Sequence, residues 1–131
     1  MIQLIIADDD DQVRSAIRFL VEQEMTSWQV AAEARNTNEL MKCVNTNQAD
    51  LILLDWELPT LGLCSENGGQ TGFQNCMQKL KSAYPAASVV VMSCVPEVRS
   101  QVLASGADAF VTKTDPPEVL LGAMYACCQP Q

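Results

Sequence analysis

The chain has 131 residues, 48% of them hydrophobic, and sixteen acidic against eight basic residues give a formal charge of −8. That length makes one domain with a core that needs no disulfide or structural metal, and the composition excludes a disordered chain. No apolar run approaches the ~20 residues of a membrane-spanning helix, the N-terminus lacks a signal-peptide pattern, and the acidic balance argues against nucleic-acid contact by this chain, because phosphate binding draws on Lys and Arg.

Residues 2–7 (IQLIIA) are an apolar run that stops at four aspartates, Asp8 to Asp11, and read as a buried strand. Residues 12–25 then carry Val13, Ala16, Ile17, Leu20, Val21 and Met25 at spacings of three and four, one face of a helix. Residues 28–34 (WQVAAEA) are a second strand, and Asn36 or Thr37 caps a helix with Leu40, Met41 and Val44 in period. Residues 50–54 (DLILL) form the most apolar strand and lead to Asp55. An irregular stretch, 56–71, follows, with Pro59, Gly62, Gly68 and Gly69. Helical spacing resumes over 73–83 through Phe73, Cys76, Met77 and Leu80, and Pro85 closes it. A fourth strand spans 88–92 (SVVVM) and a helix 96–104, stopped at Gly106. A short fifth strand covers 109–112 (AFVT). Pro116-Pro117 opens a last helix with Val119, Leu120, Ala123 and Met124 on its apolar face.

Strands alternating with helices predict a doubly wound α/β fold, a five-stranded parallel sheet with five helices on its two faces. The near-continuous apolar strands agree, since parallel strands are buried on both sides. In such sheets the functional crevice lies outside the carboxyl ends of the strands. The six cysteines include no C-x-x-C pair, and the chain has no histidine. A Cys/His zinc site and an imidazole base are therefore not expected, and the thiols read as reduced, mostly buried small hydrophobes of a cytoplasmic protein.

The strand ends carry the chemistry. Strand one ends at Asp8, Asp9, Asp10 and Asp11, strand three at Asp55, strand four at Ser93 and strand five at Lys113. Carboxylates brought together on one rim repel, and a bound divalent cation relieves them. Oxygen ligands of this kind suit Mg²⁺, and a lysine and a hydroxyl suit phosphoryl oxygens. With no histidine at the rim, a carboxylate is the natural nucleophile for phosphoryl transfer.

The segments LIIADDDDQVR (4–14), ADLILLDWELP (49–59), VVVMS (89–93) and SGADAFVTK (105–113), in this order and at these intervals, resemble the receiver domain of bacterial two-component response regulators. The resemblance covers nearly the whole chain, with residues 1–128 as the receiver domain and 129–131 as a tail. It implies the flavodoxin-like strand order 2-1-3-4-5 and a phosphoacceptor that is no metabolic enzyme. Asp55 would take a phosphoryl group from the phosphohistidine of a sensor histidine kinase or phosphotransfer protein. Asp8, Asp9, Asp55 and the backbone carbonyl of Glu57 would hold Mg²⁺ or Mn²⁺, Asp9 directly and Asp8 through water. Ser93 and Lys113 would meet phosphoryl oxygens, and Phe110 stands at the aromatic switch position, with Ser93 as its partner. The face made by helix four, strand five and helix five would change on phosphorylation and offers a surface for a homodimer. Asp10 and Asp11 match no required ligand and read as a helix start.

Four departures from the family pattern stand out. The loop 60–71 is longer than usual, with Leu63 where the family places a glycine, and reads either as a tolerated insertion or as a lid. Thr114 replaces a common proline after Lys113, so a trans peptide or a strained one is expected there. Cys94 stands beside Ser93 where a small residue is preferred. Glu57 adds a negative charge at the site mouth. Two other functions remain in comparison: a receiver-like protein-binding module acting without phosphorylation, and an aspartate-nucleophile phosphohydrolase. The complete set of side chains disfavours the first. The second needs an acid two residues after the nucleophile, which Asp55-Trp56-Glu57 imitates only loosely, and a cap for which the chain has no room. The stretch from Gly106 to Met124 is similar to receivers attached to helix-turn-helix regulators, so the chain is expected to be a stand-alone receiver or the receiver part of a longer regulator.

Overall fold

The protein was analysed as a computed structural model, which describes residues 1–59 and 69–128. Five strands are joined through five α-helices in strict alternation: β1 Ile2–Ala7, α1 Asp11–Glu24, β2 Trp28–Ala34, α2 Thr37–Thr46, β3 Leu51–Asp55, α3 Gly69–Ala83, β4 Ser88–Ser93, α4 Arg99–Ala104, β5 Ala109–Thr112 and α5 Pro117–Cys127. All strand pairs are parallel, in the order β2-β1-β3-β4-β5. This is the flavodoxin-like arrangement expected from the sequence.

Alternation of side chains along each strand feeds two separate cores. Ile5, Ala7, Ile52, Leu54, Val89 and Val91 face a layer formed by α2, α3 and α4 through Leu40, Val44, Phe73, Met77, Leu80 and Val102. Leu4, Ile6, Leu51, Leu53, Val90 and Met92 face α1 and α5 through Ile17, Val21, Leu120 and Met124. Every residue of β3 is buried, so the run LILL must be apolar on both faces.

Several boundaries move. Helix α1 starts at Asp11, with Asp10 as N-cap accepting from the amides of Gln12 (2.8 Å) and Val13, and Asn36 caps α2 through the amide of Glu39. Strands β3 and β4 each include the polar residue that ends them, Asp55 and Ser93. Helix α3 reaches back to Gly69, so Thr71 belongs to it and not to the loop. Glycines at 69 and 72 are poor helix formers and the apolar period begins at Phe73, so spacing alone misses this first turn. The expected helix over 96–104 divides into a 3₁₀ turn, Pro96–Val98, and α4 proper. Gly106 ends it with φ +104°, in the left-handed region. The loop reading for 60–71 falls largely on residues 60–68, and the tail reading on 129–131, both outside the described residues.

The expectation of mostly buried thiols is corrected: among the described cysteines only Cys76 is buried, Cys43, Cys127 and Cys128 are half-buried, and Cys94 is exposed. Cys43, Cys94, Cys127 and Cys128 are free thiols. They lie on helices packed at the margins of the cores and on the rim beside Ser93, where apolar period does not report depth. Among the described residues, no helix is long and apolar enough to cross a membrane.

Candidate functional site

Parallel pairing aligns the strand ends. Ala7 is level with Leu54, Asp55 with Met92, and Ser93 with Thr112. Backbone bonds continue one step beyond the strands, from the amide of Trp56 to the Met92 carbonyl (2.8 Å) and from that of Lys113 to the Ser93 carbonyl (2.9 Å). The residues that follow or end β1, β3, β4 and β5 are therefore presented on one rim, and the structure brings Asp8, Asp9, Asp55, Ser93 and Lys113 together there. Carboxylate oxygens of Asp8, Asp9 and Asp55 lie within 4.8 Å of one another. The Lys113 ammonium spans two of them, 2.8 Å from Asp8 Oδ2 and 3.2 Å from Asp55 Oδ1.

The turn after β1 is built to hold its acids. Asp8 Oδ1 accepts from the amide of Asp10 (2.9 Å), while Asp10 itself caps α1. Arg14, which sequence reasoning did not single out, donates through Nη1 to the Asp8 carbonyl (2.6 Å), pairs with Asp11, and bonds Glu33 on β2 through Nε (3.1 Å). It is 8% exposed. The available signal was its place three and seven residues before Ile17 and Val21, an arginine on the buried stripe of the helix.

Burial and like charge set the electrostatics. Asp8 and Asp55 are 0% and 1% exposed. The Asp55 carboxyl is pushed up to about 7 by burial, by its hydrogen bond with Glu57 and by the charge of Asp8. Burial pushes Lys113 down, but the contacts with Asp8 and Asp55 prevail and hold it above its usual value. Asp8 Oδ2 is buried with no hydrogen-bond donor aligned on it; the ion-pair contact with Lys113 is its partner. A buried carboxylate oxygen whose partner is a shared ammonium, with two further carboxylates in reach, fits a hard divalent cation bound through oxygen. These side chains supply an all-oxygen donor set with no soft or imidazole ligand.

Beyond Asp55 the chain turns sharply, the amides of Glu57 and Leu58 returning to Asp55 Oδ1 (3.0 Å) and the Asp55 carbonyl (3.1 Å). Trp56 packs on Phe73 at the head of α3, ring centroids 4.6 Å apart, and Leu58 is buried. The Glu57 side chain points back across the rim, where Oε1 accepts from the Ser93 hydroxyl at 2.8 Å. Burial raises the Glu57 carboxyl, but hydrogen bonds from Asp55 and Ser93 and the charge of Lys113 outweigh it and hold the group below its usual range. Phe110 is 6% exposed and turned into the core, with the Arg99 guanidinium 5.9 Å from its ring centroid. No cis peptide occurs among the described residues, so the Lys113–Thr114 bond is trans.

This rim can be compared with known proteins. Over 127 residues the chain is 30% identical to the nitrate/nitrite response regulator protein NarP of Escherichia coli (strain K12), a match covering 95% of this chain and 54% of that protein. It is 28% identical over 127 residues to the phosphate regulon transcriptional regulatory protein PhoB of the same organism, covering 95% and 50%. The chain thus spans about half the length of the curated relatives it matches. Among solved structures, the isolated REC domain of RcsB from Salmonella enterica serovar Typhimurium, determined with the phosphomimetic BeF3-, superposes with a TM-score of 0.78 at 24% identity, covering 95% of this chain and 86% of that one. At that identity the likeness speaks for the fold. The response regulator receiver domain family matches residues 4–125. That span holds all four strand ends that form the acidic rim, and the chain belongs to the receiver domain family of two-component response regulators.

Proposed function

We propose that this receiver is phosphorylated on Asp55, accepting the phosphoryl group of a phosphohistidine carried by a sensor histidine kinase or a phosphotransfer protein. A receiver domain is a signalling module and not a metabolic enzyme, so the chain assists its own modification and turns over no separate substrate. The observation that carries the reading is the meeting of Asp55 with Asp8, Asp9 and Lys113 on one rim. Asp8, Asp9, Asp55 and the backbone carbonyl of Glu57 are the groups to hold Mg²⁺ or Mn²⁺, with residues 1–128 as the functional unit. When bound, the ion neutralises charge on the transferring group.

The remaining steps belong to the chain's own side chains. Asp55 attacks phosphorus as the carboxylate, the O–P bond forming as the P–N bond to the donor histidine breaks and its electron pair leaves on the imidazole nitrogen, and Lys113, already beside Asp55 Oδ1, pairs with a phosphoryl oxygen as negative charge is delivered to the rim. Ser93 donates its hydroxyl to a second phosphoryl oxygen. Its movement is coupled to Phe110, whose inward and outward positions reshape the face formed by α4, β5 and α5, a shift between two pre-existing states. That face is the proposed surface for signalling to a partner or a second copy. The test is direct. With Mg²⁺ and acetyl phosphate, intact-mass analysis should show one added phosphoryl group, absent when Mg²⁺ is chelated before the donor is added and absent in Asp55→Asn. A wild-type chain that shows no Mg²⁺-dependent change would mark it as a protein-binding module acting without phosphorylation.

A further inference from the structure

Ser93 is fully buried, and its hydroxyl hydrogen is already committed. The group donates to Glu57 Oε1 at 2.8 Å while its oxygen accepts from the Val95 amide at 3.0 Å. A hydroxyl has one proton to give, so Ser93 cannot donate to a phosphoryl oxygen until Glu57 withdraws. The position of Glu57 is set by the turn after β3, through its amide on Asp55 Oδ1. Sheet order places Asp8 on one side of Asp55 and Ser93 on the other, and the Glu57 carboxylate lies between the last two, engaging the Asp55 side chain as well as the Ser93 hydroxyl. The residue as a whole is exposed. Its carboxylate can therefore swing into water without leaving a cavity in the core.

We propose that the Glu57 carboxylate is a resident anion of the phosphoryl site, engaging Ser93 in place of a phosphoryl oxygen until an incoming donor displaces it. This rests on the reading of Asp55 as phosphoacceptor. An internal anion in that position opposes an anionic donor twice: by charge, since a site lined with one sign of charge changes encounter rates about tenfold or more, and by holding the only hydroxyl proton of Ser93.

The experiment compares wild type, Glu57→Gln and Glu57→Ala with acetyl phosphate and Mg²⁺, following phosphorylation by intact mass at low and high ionic strength. Mg²⁺ affinity is read separately from Trp56 emission in a Trp28→Phe background. Glu57→Ala should be phosphorylated about tenfold faster than wild type at low ionic strength, with Glu57→Gln between them. The advantage should shrink as salt screens the charge, and it should persist at saturating Mg²⁺. A wild-type chain that is phosphorylated while Glu57→Ala is no faster overturns this inference and leaves Asp55 as phosphoacceptor. A rate advantage of Glu57→Ala that vanishes at saturating Mg²⁺ overturns it too, by tracing the effect to metal binding and not to Ser93. If no variant takes up a phosphoryl group, both readings fall together.

Discussion

Four consecutive aspartates look alike in sequence but divide their work in space. Asp8 is buried at the head of the turn, accepting from the Asp10 amide and facing Lys113. Asp9 reaches the same cluster from an exposed position. Asp10 caps α1, and Asp11 opens the helix and pairs with Arg14. The division gives a paired prediction. Asp10→Ala should lower stability to urea by about 1 kcal/mol, the usual cost of an N-cap, and leave Mg²⁺ affinity unchanged. Asp9→Ala should do the reverse, abolishing Mg²⁺-dependent quenching of Trp56 while leaving the urea midpoint in place. Unaltered Mg²⁺ binding in Asp9→Ala would remove that residue from the metal site. The positions of Asp8, Asp55, Ser93 and Lys113 were legible because each ends or follows a short apolar run, and strand ends converge in a parallel sheet. The anchoring of Asp8 by Arg14 and the turn of Glu57 toward Ser93 were not, since both depend on side-chain direction in turns that periodicity does not describe.

At the scale of elements, strands were read more securely than helix ends. A buried parallel strand is a contiguous apolar run with polar stops, whereas the first turn of a helix need not touch the core. Helix α3 begins before its apolar stripe does, and α4 is entered through a 3₁₀ turn at Pro96, Glu97 and Val98, residues with no buried member among them. The stop at Gly106 was readable because φ +104° is a conformation that side chains disfavour. A Cβ added there would meet nothing within 4 Å, so any cost of substitution is backbone strain and not crowding. Gly106→Ala should accordingly destabilise the domain by about 1–2 kcal/mol, and Gly106→Asn by less, because asparagine tolerates the left-handed region better. Equal losses for both, measured by urea unfolding, would point instead to a steric origin.

Across the whole molecule, one sheet serves two cores that share no side chain. Trp56 packs against the layer of α2, α3 and α4, while Trp28 is buried in the layer of α1 and α5, where it meets Tyr125 edge-on at 6.1 Å. Each tryptophan thus reports one face. The strands are common to both, so loss of either layer exposes apolar backbone neighbours of the other, and a domain of this size is expected to unfold in one cooperative step. Leu54, fully buried beside Asp55, belongs only to the Trp56 face. Leu54→Ala should cost about 3 kcal/mol through lost burial and a residual cavity. If the shared sheet couples the cores, the single-tryptophan variants Trp28→Phe and Trp56→Phe, each carrying Leu54→Ala, should shift to lower urea by the same amount and keep coincident transitions. Earlier loss of Trp56 emission than of Trp28 emission would show that the α2, α3 and α4 layer, against which the proposed switch residue Phe110 packs, opens on its own. The face proposed for signalling would then be a separately unfolding unit rather than a surface repacked on an intact sheet.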